Sequence, residues 1–339
     1  GNYNSIGGGI CNTASYSYST IGGGCKNTTN SQYSTIGGGY CNCITGAGSV
    51  IGGGCCNTAS GNTSTIGGGI YNTSSNNYST IGGGYTNLAS GISSTIGGGQ
   101  NNTINPSQNY NNSFIILGDV IGGGKCNVIN TNTYCGYSCT GGNIIAGGYK
   151  NTISPYQKGN TIGGGFCNTA SCNYTTIGGG RQNTASNEYA TIGGGKCNTA
   201  SGVHSAVLGG FCHTASGNYS TVGGGLSNTA SGDKATVGGG FCNNAQSTYS
   251  TVGGGQYNTA SSDNATVGIY YWKHGSDYVK YANQMIDKNI RTNNEFYVCP
   301  VFNEAIEDGK KVRLKTIDKM WGIGTPEDLN YFLENNKEI

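Results

Sequence analysis

The residues able to carry chemistry in this chain are few and widely separated. His204, His213 and His274 are its three histidines, and none has an acid or hydroxyl at a spacing that would build a triad or a metal cluster. Asp and Glu together number 15 of 339 residues. Cysteine is as frequent, at 15, but no pair is spaced Cys-x-x-Cys, so no zinc motif is present. Gly124-Lys125-Cys126 resembles the end of a phosphate-binding loop, yet it lacks the Ser or Thr that would hold Mg²⁺ and no helix is expected after it. Calcium-binding nonapeptides need a recurring Asp that is missing here. Asn77-Tyr-Ser and Asn173-Tyr-Thr are glycosylation sequons, meaningful only on a secretory route. No catalytic residue, metal or cofactor is expected, and the chain is not read as an enzyme.

What recurs instead is a set of columns. Asn stands fifteen residues apart at Asn12, Asn27, Asn42 and Asn57, continues at 72, 87 and 102, and returns at Asn168, Asn183 and Asn198, with His213 standing in the same series. Amides at a fixed period point to a structural ladder, each side chain bonding the next turn. Tyr recurs six residues later, at Tyr18, Tyr33, Tyr78, Tyr174, Tyr189 and Tyr219. Those rings can stack into a strip that stiffens the molecule, or serve as a platform for sugar rings or a partner. Cys precedes many of the Asn residues, and Cys41 with Cys56, like Cys197 with Cys212, would fall one turn apart, within disulfide range. Bridges and a free-thiol ladder both fit that spacing.

Such columns exist only if the chain coils with a fifteen-residue pitch. An aliphatic residue opens the unit at 6, 21, 36, 51, 66, 81 and 96, and again at every fifteenth place from 162 to 267. A unit of this length with three glycines and no 3.6-residue pattern is one coil of a solenoid, and no coil buries its apolar side alone. The fold is therefore expected to be all-β: a parallel β-roll of 15-residue coils, with a small C-terminal α/β domain. Tyr-Ser-Thr-Ile reads as one strand and Cys-Asn-Thr-Ala as the other. The Gly triplet makes one corner, and Ser-Gly at 60 and 61 or 201 and 202 the other. Alternation sends Ile21 and Ser19 inward, Thr20 and Tyr18 outward. The Thr residues at 20, 35, 65, 80 and 95 form a further column, with Tyr expected on the same face.

Composition places the boundaries. Gly is 64 residues and charged residues are 9%, a balance typical of disorder, but strict periodicity overrides that reading. Residues 268–339 hold 21 of the 32 charged side chains, both Trp and both Met. Four segments follow: repeat blocks 1–100 and 162–267, irregular coils 101–161, and the tail 268–339. The insertions of the irregular segment leave the stack as surface loops, where Tyr110, Tyr134, Tyr137 and Tyr156 are candidates for recognition. In the tail, Gly268 to Trp272, Glu295 to Cys299 and Lys311 to Ile317 read as strands. Helices are expected from a Ser276 cap, with Val279, Ala282, Met285 and Ile286 on one face, between Pro300 and Gly309, and after Thr325. A net charge of +2 supplies no basic stripe for nucleic acid, and no apolar run is long enough to span a membrane. The chain opens in mid-repeat, with Tyr3 already in register, so further sequence upstream is expected.

The unit Ala-Ser-Gly-x-Tyr-Ser-Thr-Ile-Gly-Gly-Gly, as at 215–225, resembles the head repeats of trimeric autotransporter adhesins, and similar arrays occur in viral and phage fibres. That resemblance covers about four-fifths of the chain and implies a left-handed roll, a homotrimer and a surface that binds host receptors or glycans. The stretches Gly268-Ile-Tyr-Tyr-Trp-Lys, Asn294-Glu-Phe-Tyr-Val-Cys-Pro-Val-Phe-Asn-Glu and Asp318-Lys-Met-Trp-Gly-Ile-Gly-Thr-Pro-Glu-Asp-Leu resemble the C-terminal segment of sugar-phosphate nucleotidyltransferases. The nucleotide-binding loop of those enzymes has no counterpart here, and Gly322 stands where some relatives place a metal-binding Asp. The expectation is a fibre or adhesin-like protein on a virion or cell surface, capped by a borrowed fold. The rivals are a nucleotidyltransferase interrupted by the repeats, an ice-binding solenoid using the Thr column, and a surface fibril with no receptor.

Overall fold

The computed structural model describes residues 3–105, 118–130, 141–155, 157–261, 274–290 and 301–310. Residues up to Ser261 and from Ser262 onward form two separate units.

The first unit is an all-β parallel solenoid of about sixteen turns. Each coil contributes two strands of two residues, from β1 (Ser5–Ile6) and β2 (Thr13–Ala14) to β31 (Thr251–Val252) and β32 (Thr259–Ala260). Odd-numbered strands make one sixteen-stranded sheet and even-numbered strands the other. Regular coils step by fifteen residues, as where Thr20 pairs with Thr35 and Ile21 with Ile36. The irregular coils keep the same partners across longer steps, Thr95 to Val120 and then Val120 to Ile144. Both sheets are therefore continuous across the irregular coils.

The interior is thin. Ile or Val at the first place of the coil, Ala or Ile at the ninth, Asn at the seventh and mostly Ser at the fourteenth are buried along the axis. Ile21 and Ser19 point inward and Thr20 outward, as strand alternation requires. Burying a row of Ile side chains supplies the hydrophobic term, at about 25 cal/mol per Å² of apolar area.

Two features correct the sequence reading. The strands are only Thr-Ile and Thr-Ala, because the residue at each end turns the chain. Tyr18 has φ 61°, Tyr174 56° and Tyr219 58°; Cys41 and Cys197 each have φ 58°. The sixth and thirteenth places are thus left-handed corners in nearly every described coil, occupied by Cys, Tyr, Lys, Thr, Gln, Asn, Ser or His in most coils and by glycine only at Gly48, Gly142 and Gly159. Such residues cost on the order of 1 kcal/mol or more each and persist only where neighbours over-determine them. Hydrogen bonding is what does so. Most backbone N–H groups donate to the following coil, as Thr20 does to Ser34 at 2.9 Å; at the two corners the peptide is reversed, and Lys26 donates back to Ile10 and Tyr33 to Ser17. Ser-Gly does not make the second corner: Gly61 lacks a positive φ, and Thr63 has it at 54°.

At the glycine corner the third residue of the triplet is glycine in every described coil. Gly195 has φ 88°, and a Cβ there would lie 2.2 Å from the Gly210 carbonyl oxygen. A Cβ at the first place is also tight, 2.3 Å from the Leu208 carbonyl oxygen at Gly193, yet without a positive φ to forbid it Ala146 and Leu208 occupy that place in two coils.

The second unit shows helices α1 (Gly275–Asp287) and α2 (Val301–Glu307). Tyr281 and Met285 of α1 pack on Val301 and Ala305 of α2, with Tyr278 and Ala282 beside them. Val279 and Ile286 were expected on that face but stay exposed, since the 278, 281, 282, 285 stripe is the one turned to α2. The N-cap is His274, without a side-chain bond, so Ser276 lies inside the helix and not at its cap. Gly309, with φ 78°, follows the end of α2. Lys288 reaches Glu304 at 2.7 Å and Glu307 at 2.8 Å, and Lys280 pairs with Asp308. The strands expected in the tail and the helix after Thr325 lie outside the described residues.

Candidate functional site

The Asn column is the most completely bonded feature of the coil. The Oδ1 of Asn168 accepts the backbone N–H of Asn183 at 3.0 Å, and that of Asn183 accepts the N–H of Asn198 at 3.0 Å. Each Nδ2 donates twice: that of Asn183 bonds the Gly179 carbonyl of its own coil at 2.9 Å and the Gly195 carbonyl of the next at 3.0 Å. Asn12, Asn27, Asn42 and Asn57 repeat the pattern. The ladder runs mainly from side chain to backbone, a detail the repeat period alone does not reveal. One amide satisfies two otherwise orphaned backbone groups at the glycine corner, the Asn198 N–H and the Gly179 carbonyl, and adds a second donor to the Gly195 carbonyl, which already accepts the Arg181 N–H at 2.8 Å.

His213 tests what the ladder requires. Its N–H donates to Asn198 Oδ1 at 2.9 Å, and its Nδ1 accepts the N–H of Asn228 at 3.0 Å. That acceptor role needs a neutral ring, with the proton on Nε2, which is buried and finds no partner. Burial holds the imidazole pKa below its ordinary value, and the N–H that Asn228 donates to Nδ1 favours the same neutral form. With the folded value depressed, the unfolded chain takes up the proton first as pH falls below about 6.5, so stability is present above that pH and is lost beneath it. Changing His213→Asn should raise stability by about 1–2 kcal/mol at neutral pH, through the two carbonyl bonds an amide restores. The variant should also remove the loss between pH 7 and 5 that urea denaturation of the wild-type chain would display.

Tyrosines at the thirteenth place form two stacks on the exposed corner. Tyr3, Tyr18 and Tyr33 lie with ring centroids 5.3 and 5.1 Å apart. Tyr174, Tyr189, His204 and Tyr219 continue at 5.0, 4.6 and 4.9 Å, with planes within 9° of parallel. Tyr78 is separated from both stacks, because Thr63 and Ser93 hold the same corner in the adjoining coils. Lys234 extends the second row, its Nζ 4.5 Å from the ring centroid of Tyr249 and donating to its hydroxyl at 2.6 Å. Tyr110, Tyr134, Tyr137 and Tyr156 lie outside the described residues.

Cys41 with Cys56 and Cys197 with Cys212 stand on successive coils at the left-handed sixth place, and all twelve described cysteines are free thiols. Cys56 is held above the usual thiol range first by its hydrogen bond with Cys55, whose sulfur lies 3.4 Å away. Burial does the same to Cys43 and Cys212. Raised pKa values slow thiolate chemistry. Labelling with iodoacetamide at pH 7.5 should therefore modify Cys43, Cys56 and Cys212 several-fold more slowly than free cysteine, followed peptide by peptide in a mass spectrometer.

Two columns escape the sequence reading. The eighth place repeats Thr, as at Thr13, Thr58, Thr169 and Thr199, giving the second sheet an outward Thr row to match that of the first. Tyr occupies the corner, not the sheet face, so neither row has Tyr interleaved within it. The fifth place carries Ile10, Tyr40, Ile70, Tyr85, Lys125, Tyr149, Phe166, Arg181, Lys196 and Phe211, each bridged to its equivalent in the neighbouring coils. Its residue types vary too much for identity to reveal it. The available signal was that Ser, Thr and Gly never occur directly after the glycine triplet.

Among the described residues no group of three or more His, Cys, Asp or Glu is placed to hold a metal ion, and no helix is long and apolar enough to cross a membrane. Gly124 leads through Lys125 and the left-handed Cys126 into the strand Val128–Ile129, not into a helix N-terminus. No family model matches the chain, and no curated protein is similar to it.

Proposed function

We propose that the chain is a structural fibre protein of adhesin-like character, a left-handed β-solenoid rod on a virion or cell surface that attaches to a receptor or glycan. The observation that carries this reading is the distribution of chemistry. The interior is consumed by the Ile and Asn columns, whereas aromatic and cationic side chains are arrayed outside at one coil spacing. A stiff scaffold with evenly spaced surface groups suits recognition of an extended partner better than turnover of a small substrate.

Self-association as a homotrimer goes with this reading. Three copies of Lys125, Arg181 and Lys196 could not meet along a common axis without strong repulsion, so the shared face is one of the two Thr-lined sheets and the fifth-place column stays outward. Light scattering on the purified full chain should give three chains per particle, near 104 kDa from 34.7 kDa each. A particle of one chain would sink the trimer.

The ice-binding alternative keeps one specific support, the pair of Thr rows free of Tyr. Each strand is two residues long and presents a single outward Thr, a line of hydroxyls rather than a lattice. Thermal hysteresis at micromolar protein would favour that reading over attachment.

A further inference from the structure

Charge on the solenoid is segregated. Its described cations are Lys26, Lys125, Lys150, Lys158, Arg181, Lys196 and Lys234, and five of these seven sit at the fifth or sixth place of a coil. Its described carboxylates, Asp119, Glu188 and Asp233, lie elsewhere; Asp119 is buried and the other two flank the Tyr corner. Four of the cations fall within five consecutive coils, along the bridged path Lys125, Tyr149 with Lys150, Phe166, Arg181 and Lys196, which continues to Phe211. All four are exposed. Coils rise by about 4.8 Å, so the cations occupy a straight line of roughly 20 Å. A low net charge conceals this stripe because the tail holds most of the acids.

Three of the four cations are also held in place. The Arg181 guanidinium lies 5.1 Å from the Phe166 ring centroid, Lys196 Nζ 5.0 Å from that of Phe211, and Lys150 Nζ 5.2 Å from that of Tyr149. Cation–π contacts restrict long side chains before any ligand arrives, which lowers the ordering cost of binding.

The geometry points to an anionic polysaccharide as the ligand of this stripe, an extended sulfated chain lying parallel to the rod, with its sulfate groups on Lys125, Lys150, Arg181 and Lys196. A sugar in an extended glycan advances by a length close to one coil, so its anionic groups fall on Lys125 and Lys150 and, past the Phe166 coil, on Arg181 and Lys196 without either chain bending. Nucleic acid fits less well. A duplex winds its phosphates around an axis while the stripe is straight, and bases of a single strand need open ring faces, which here are partly covered by the protein's own cations. This inference rests on the attachment reading and gives it a ligand class and a location.

The test uses the full chain passed over immobilised heparin, and over the same polysaccharide after desulfation, at physiological ionic strength. The wild-type chain should bind heparin and not the desulfated form. The double variant Arg181→Gln with Lys196→Gln should weaken heparin binding about tenfold or more. Lys26→Gln with Lys234→Gln, an equal change of charge elsewhere, should leave it within about threefold. Circular dichroism confirms that both variants retain the fold. Equal loss in both double variants, no heparin binding, or equal affinity for a single-stranded DNA of matched charge would each overturn the proposal. Cell attachment that survives Arg181→Gln with Lys196→Gln, in a chain that does not bind heparin, would refute the stripe while leaving attachment intact. Heparin binding through the stripe without cell attachment would do the reverse.

Discussion

Gly195→Ala should cost the solenoid about 4 kcal/mol or more, while Gly194→Ala, its neighbour in the same triplet, should cost about 1 kcal/mol or less. Both positions are glycine in every described coil, so the sequence gives no reason to expect a difference. The structure does. At Gly195 the backbone has φ 88°, and a Cβ would stand 2.2 Å from the Gly210 carbonyl oxygen and 2.7 Å from Asn198 Nδ2. Neither contact can relax alone, because the carbonyl belongs to the next coil and the amide to the ladder. At Gly194 a Cβ would meet nothing within 4 Å, and nothing in the surroundings explains why glycine is retained there. Urea denaturation followed by the far-ultraviolet β signal checks both; comparable losses would show that the corner is constrained in a way its contacts do not reveal.

Asn183→Ala is the second large effect, expected to destabilise by roughly 2–6 kcal/mol. Truncation leaves two backbone groups without their partner, the Asn198 N–H and the Gly179 carbonyl, and removes one of two donors from the Gly195 carbonyl, which keeps the Arg181 N–H at 2.8 Å. Each such group costs about 1–3 kcal/mol when it stays dry. Asn183→Asp separates the two halves of the interaction, since it keeps the acceptor for Asn198 and loses both donors. It should fall between the wild type and alanine at low pH, where the carboxyl is protonated and can donate once, and should approach alanine at neutral pH, where a buried carboxylate faces two carbonyls. Hydrogen exchange at Asn198 reads the local break directly, because coils couple mainly to their neighbours. An unchanged protection factor in Asn183→Ala would count against the ladder as a source of stability.

Much of this architecture was legible in the sequence because stacking converts periodicity into contact. The fifteen-residue return of Ile and Asn fixed the coil, and the choice of Ile21 and Ser19 as inward residues followed from alternation alone. The corners were not legible. Period-two reasoning extends a strand through Tyr33 and places Tyr beside Thr35, yet it has no means of sensing that the peptide before Tyr33 or Cys41 turns over to donate backward. That reversal depends on hydrogen bonds between coils, which a single repeat does not encode. The Asn column was recognisable from identity, but its bonds depended on glycine carbonyls of its own corner and of the same corner in the next coil. The fifth-place column was invisible for the opposite reason: Lys125, Phe166 and Arg181 share a position and a surface but no residue type. In the tail, Pro300 and Gly309 marked α2 correctly, whereas the α1 cap and buried face were misjudged because local propensity does not say which stripe a partner helix will cover.

Electron cryomicroscopy of the full chain measures the stacked register itself. Coils in vertical register predict density that repeats every ~4.8 Å along the rod axis, through sixteen coils and without interruption where Thr95 pairs with Val120 and Val120 with Ile144. A particle with no such repeat, or one whose stack ends between those strands, would contradict it.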